Sequence, residues 1–213
     1  MRIVATCILL IPTLLITSLF VGIVSAQEVS FKRVQLDYNI CLDIPSNWKV
    51  LSQIERQNIT VRGKEQLKKA EIEGPSGKVK LLAVNAIPDP TGAMISVSVC
   101  SPPEYTQDEL AAATPADLKE FGLEFHNAFK KLEKSGGPKI TEMQPVRIEM
   151  LNKYRVLVVP YVRVGVNEPV TWQVTQYRIP VSDRLIEIIL SHRQSDANVW
   201  QPILERVKSS LQF

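Results

Sequence analysis

By type, the residues best suited to acid–base work near neutral pH are the two histidines, His126 and His192. A catalytic base needs a nucleophile or an acid within hydrogen-bond reach. His126 follows Phe125 in an amphipathic stretch, and His192 precedes Arg193 at the end of an apolar run. Neither stands in a motif that supplies a partner, so both read as ordinary surface or boundary histidines. A hydrolase with a nonstandard site would need one of them to meet a carboxylate and a hydroxyl in a cleft. The sequence holds no His-Glu-x-x-His, no metal-spaced Cys/His set, no Walker loop and no Gly-x-Ser-x-Gly elbow. Gly74-Pro75-Ser76-Gly77 reads as a turn. The sequence therefore assigns no catalytic, cofactor-binding or metal-binding residue, and it implies no cofactor.

Cys41 and Cys100 are an even pair, once Cys7 is set aside with the N-terminal segment described below. In an exported chain such a pair points to a disulfide, which would close a loop of about 60 residues and contribute roughly 4 kcal/mol. The alternative is two thiols that fill space. Lys64, Lys68 and Lys69, with Lys78 and Lys80 nearby, form a basic cluster diluted by Glu65, Glu71 and Glu73. Mixed charge of this kind favours a solvated helix face over a docking site for anionic lipid or polymer. Trp48, Trp172 and Trp200 are expected in the core rather than around a ligand.

The elements that carry these residues follow from the chain's composition and periodicity. The 213 residues are 45% hydrophobic and 22% charged, an ordinary globular composition. Arg2 is the sole charge before Glu28, and the stretch Ile3 to Ala26 between them is almost wholly apolar. A basic start, an apolar run and the small-residue exit Val24-Ser25-Ala26 are the three parts of a secretory signal. Cleavage is expected between Ala26 and Gln27, with an uncleaved membrane anchor as the alternative. The division is then a signal peptide over 1–26 and one domain over 27–213. The expected location is the periplasm or the exterior of a bacterium, with membrane contact through the signal segment alone. The mature chain carries 24 basic against 22 acidic residues, a net +2. That balance excludes the strongly basic class of nucleic-acid binders.

Val34 to Asp43 alternates with strand period, and Pro45 stops it. Ser52-Gln53-Ile54-Glu55 is a capping box that opens a helix over about 53–72. Val79 to Ile87 and Ala93 to Cys100 read as strands parted by Pro88, Asp89, Pro90 and Gly92. In the second of these, Met94, Ser96 and Ser98 make one face small and polar, so that face meets solvent or another polar layer. Thr106 and Thr114 begin two further helices, the second with Pro115 at its first position. Leu118, Phe121, Phe125, Phe129 and Leu132 lie on its one apolar stripe. From Ile140 to His192 the pattern is a β-meander. A last helix is capped at Asp196 or Asn198, with Val199, Ile203, Val207 and Leu211 as its stripe and Pro202 in its first turn. The fold class is α+β: a central, mostly antiparallel sheet with helices packed on it.

Ile44-Pro45-Ser46-Asn47-Trp48 resembles the apolar-Pro-x-x-Trp opening of the PsbP-like fold. The middle helix near Thr114, the meander with Tyr161 and Tyr177, and the closing Ser210-Leu211-Gln212-Phe213 are similar too. The resemblance covers nearly all of 31–213. That fold also serves DcrB-like bacterial domains and a yeast nuclear protein that binds the GTPase Ran. It implies an α/β/α sandwich and an accessory or binding role, and it transfers no site residue. The combined expectation is an exported, non-catalytic accessory or binding protein of the cell envelope, with an envelope protein as its partner. The alternative is a small-ligand binding domain with a pocket between sheet and helix.

Overall fold

The computed structural model describes residues 29–75, 77–88, 91–165 and 169–213. The signal segment and its cleavage point at Ala26 and Gln27 lie outside them. Among the described residues, ten strands and four α-helices follow in the order β1 (Phe31–Gln35), β2 (Cys41–Pro45), β3 (Lys49–Val50), α1 (Gln53–Lys69), β4 (Val79–Asn85), β5 (Ala93–Cys100), α2 (Gln107–Ala112), α3 (Pro115–Lys134), β6 (Ile140–Met143), β7 (Arg147–Leu151), β8 (Tyr154–Val164), β9 (Thr171–Val181), β10 (Arg184–Arg193) and α4 (Ala197–Ser209). β1 and β2 form a hairpin of their own. The large sheet runs β3-β4-β5-β10-β9-β8-β6, with β7 also on β8, and every pairing is antiparallel.

The first strand differs from its sequence reading. The alternation of Val34 to Asp43 is broken by a 3₁₀ turn over Asp37–Asn39, where Tyr38 and Asn39 adopt φ of 65° and 60°. Asn tolerates that left-handed conformation. The chain doubles back, and Val34 pairs Leu42.

One face of the large sheet is sealed by this hairpin and α4. Ile40, Leu42, Ile44 and Trp48 meet Ile186, Ile188 and Tyr177 there, together with Leu204, Val207 and Leu211. Val199 is exposed, so the docked stripe of α4 starts at Trp200. Pro202 is the sixth residue of α4, inside the helix rather than in its first turn.

The opposite face carries α1, α2 and α3. Phe121, Phe125 and Phe129 of α3 pack with Leu110 of α2 over Leu157, Val159, Tyr161 and Val174. That half of the face is apolar; the half beneath α1 is not. α1 places no residue in either core and has no buried side chain. It is fastened at its ends. Ser52 and Glu55 form the expected capping box, and the Arg56 guanidinium donates to the Leu51 carbonyl at 3.0 Å. At the other end Gln66 Nε2 donates to the Ser135 carbonyl beyond α3, at 2.7 Å. Lys49 and the Ser52 amide and hydroxyl hold the Glu55 carboxyl down to about 2.

Candidate functional site

The polar floor under α1 is built by register. Cross-strand partners share a face, and one row runs Lys80 (β4), Ser98 (β5), Glu187 (β10) and Arg178 (β9). The next row holds Ala83, Ser96, Ile189 and Gln176. A bulge in β4 between Lys80 and Leu82 sets the parity. The extra residue leaves Leu82 on the apolar face and turns Lys80 onto the polar one, the kind of re-aiming that bulges perform. The expectation from Met94, Ser96 and Ser98 thus holds: their face is the polar layer.

The floor is a chain of buried charge. Glu187 is 3% exposed. Lys78 donates to its Oε1, Gln176 Nε2 donates to Oε2 at 2.5 Å, and the Arg178 guanidinium lies 3.9 Å from Oε2. Arg178 in turn donates to Glu104 at 2.5 Å. Lys80 stands apart. Its ammonium donates to Ser96 Oγ at 2.6 Å and makes no ion pair among the described residues. Burial pushes its pKa down, the nearby Lys78 charge pushes the same way, and the Glu187 charge opposes both. Ser98 is 1% exposed, and its hydroxyl has no hydrogen-bond partner among the described residues.

Above this floor the structure holds a cleft of about 540 Å³, a volume within the usual range for small-molecule sites. Its outer wall is the inner side of α1 and the segment that follows, with Ile59, Leu67 and Ile72. Lys78, Lys80 and Ser98 form the floor, and the exposed Lys64 and Lys68 stand at the rim. Two neighbouring cavities, of about 730 and 320 Å³, also reach Lys80. α1 therefore bridges a space that opens on either side of it. Gly63 faces the cleft, and a Cβ added there would meet nothing within 4 Å.

The lysine cluster thus divides. Lys64, Lys68 and Lys69 are the solvated helix face the sequence suggests, whereas Lys78 and Lys80 are partly buried in the cleft floor. The sequence signal was Lys80 opposite a small, polar strand face; it went unread because the β4–β5 register was unknown.

The histidines are not brought into this site. His192 is buried rather than at a surface, with Nδ1 2.9 Å from the Arg193 carbonyl oxygen. It shares a cavity of only about 50 Å³ with Thr175 and Glu205, room for water rather than a substrate. No hydrogen bond joins it to either residue among the described ones. His126 lies half-buried beside a groove along α3 with Leu118 and Met143. Among the described residues, the triad-like arrangement a hydrolase would need is not assembled at either histidine.

The expected disulfide is not formed: Cys41 and Cys100 are free thiols. Cys41 alternates with the core residues Ile40 and Leu42, so it points away from the face its hairpin covers. Cys100 pairs Leu185 and shares the opposite face with Glu187, which leaves the sheet between the two sulfurs. Bridging requires Cβ atoms about 3.5–4.5 Å apart. Burial pushes the Cys100 thiol pKa up, which makes it inert. The tryptophans are structural, as expected. Trp48 and Trp172 are buried, and Trp48 meets Trp200 edge-on at 5.7 Å.

Burial also pushes Tyr105 and Tyr161, flanking the apolar half of this face, up to about 12. Both phenols are neutral in folded and unfolded chains below about pH 9. Between pH 10 and 12 the unfolded chain ionises first, so stability falls as pH rises. Urea unfolding at pH 9 and pH 11 is expected to show a loss of about 1.4 kcal/mol per tyrosine at the higher pH. Equal midpoints would mean both phenols reach solvent.

No protein-family model matches the chain, and no curated protein does. Solved structures are similar in fold. Cyanobacterial PsbP (CyanoP) from Synechocystis sp. PCC 6803 matches over 88% of this chain and 95% of its own, with a TM-score of 0.54 and 14% identity. LpqN of Mycobacterium tuberculosis, described as involved in cell envelope biogenesis, matches more loosely, over 87% and 91%, with a TM-score of 0.45 and 10% identity. The CyanoP match shows a PsbP-like α+β fold, in agreement with the Pro45-x-x-Trp48 resemblance. At such identity the likeness extends to the fold and no further. Among the described residues no helix is long and apolar enough to cross a membrane.

Proposed function

We propose that the chain is an exported, non-catalytic accessory protein of the cell envelope that works by holding a small ligand beneath α1. The observation that carries this reading is the cleft itself: about 540 Å³ of space under a helix fastened at its ends and absent from both cores. A helix whose only purpose was to cover a sheet would bury an apolar stripe on it. α1 instead spans a floor of charged and hydroxyl side chains. The pocket between sheet and helix is the small-ligand alternative raised by the sequence, here merged with the accessory role. The secretory signal pattern over 1–26 supports export.

Native mass spectrometry of the protein recovered from the periplasm of an exporting bacterial host tests this. The expected result is a chain beginning at Gln27 that carries a one-to-one small-molecule adduct removable by solvent extraction. A chain that stays full length in the cytoplasm, or an exported chain that neither carries nor takes up a small molecule, would contradict the reading.

A further inference from the structure

We propose that the cleft beneath α1 takes an amphiphile with one anionic head, a carboxylate or phosphate monoester on an unbranched alkyl chain, with the head on Lys80 and Ser98 and the chain along Ile59, Leu67 and Ile72. The inference rests on the reading of the cleft as a ligand site and adds the chemistry of the ligand.

Three observations converge on that chemistry. The first is charge. Glu187 is already engaged by Lys78, Gln176 and Arg178, and Glu104 by Arg178. Lys80 is left with a neutral hydroxyl as its hydrogen-bond partner. Glu187 acts on that ammonium from beyond ion-pair distance; a partly buried ammonium that no carboxylate contacts is costly, and an anion placed against it offsets that cost. Lys64 and Lys68 at the rim add to the same field and draw anions in. The second is the orphaned Ser98 hydroxyl. It is opposite Lys80 in the register, on the cleft floor, and buried without a partner. Buried polar groups are nearly always paired; beside an ammonium, the partner that satisfies both is an oxygen acceptor. The third is the wall. Its apolar residues are aliphatic, and no aromatic ring among the described residues lines the cleft for a planar ligand to stack on. A single unpaired ammonium in the floor suits a single anionic head, and the aliphatic side suits an alkyl chain.

The test is calorimetric titration of the exported protein with decanoate, octyl glucoside and decyltrimethylammonium below their micelle concentrations, with sedimentation on phosphatidylglycerol vesicles in parallel. Decanoate is expected to bind one-to-one and the cation not at all. Lys80→Met is expected to weaken decanoate by about ten- to a hundredfold, the scale of one charge-assisted hydrogen bond. Lys80→Arg should retain binding. Gly63→Phe should abolish it by filling the open space beside α1 while the circular dichroism stays native, which guards against a misfolded Lys80 variant. Equal binding of octyl glucoside would overturn the anionic class and leave the cleft as a site. No saturable binding of any probe would overturn both. Pelleting with vesicles without uptake of free decanoate would assign the basic rim to a lipid surface and overturn the proposal.

Discussion

Replacing Glu187 with alanine is expected to lower the unfolding free energy by about 3–5 kcal/mol, the scale measured when one partner of a buried charge cluster is removed. Glu187 is 3% exposed, accepts from Lys78 and Gln176, and forms an ion pair with Arg178. Its loss leaves the Arg178 guanidinium, itself buried, with Glu104 as its one counter-ion among the described residues. It also strips Lys78 of its counter-ion and leaves two ammonium groups side by side over the floor. Glu187→Gln preserves shape and one acceptor, so it should cost less than the alanine variant. Urea unfolding of the two variants checks this. A loss near zero for Glu187→Ala would mean that water reaches the floor and screens it, and the buried-charge description would fail.

Trp48→Ala is expected to cost about 3–5 kcal/mol, as large-to-small core changes do. Trp48 lies at the end of the turn that follows β2, where its amide donates to the Pro45 carbonyl at 3.2 Å. Its ring is buried against Trp200, at 5.7 Å and an interplanar angle of 76°. Trp200 in turn sits so close to Gly92 that a Cβ there would fall 2.6 Å from the indole nitrogen. The pair therefore locks the hairpin and α4 onto the β4–β5 turn. Trp48→Phe should recover part of the loss. Chemical denaturation followed by circular dichroism reads all three proteins. A cost below about 1 kcal/mol for Trp48→Ala would show that the ring fills no essential space.

The Pro45-x-x-Trp48 element explains why the fold was legible. Proline ends a strand and tryptophan pins the next element, both local effects carried by residue type. The same holds for the capping box at Ser52, which forms, and for the helix starts at Thr106 and Thr114, where the structure shows a capping box at each. The β1–β2 hairpin was missed because its alternation runs straight through the turn; Asp37-Tyr38-Asn39 was the signal, and two residues in the left-handed region were needed to act on it. The site was half legible. Ser96 and Ser98 announced a polar face, but Glu187 lies in the most apolar strand and Arg178 in an alternating one. Only the pairing of four strands brings Lys80, Ser98, Glu187 and Arg178 into one row. Register over such sequence distances is not encoded in local pattern. Val199 shows the smaller error, since a period of four drifts off the docked face of a helix that repeats every 3.6 residues.

The measurement that bears most directly on the α1 cleft is amide chemical-shift mapping of the isotopically labelled, exported protein titrated with decanoate. The account predicts saturable shifts confined to Ile59 through Leu67 on α1 and to Lys80, Ser96 and Ser98 on the floor, with the α4 side of the sheet unmoved. Shifts centred on the groove beside Leu118 and His126 of α3, or no saturable shifts at all, would contradict it.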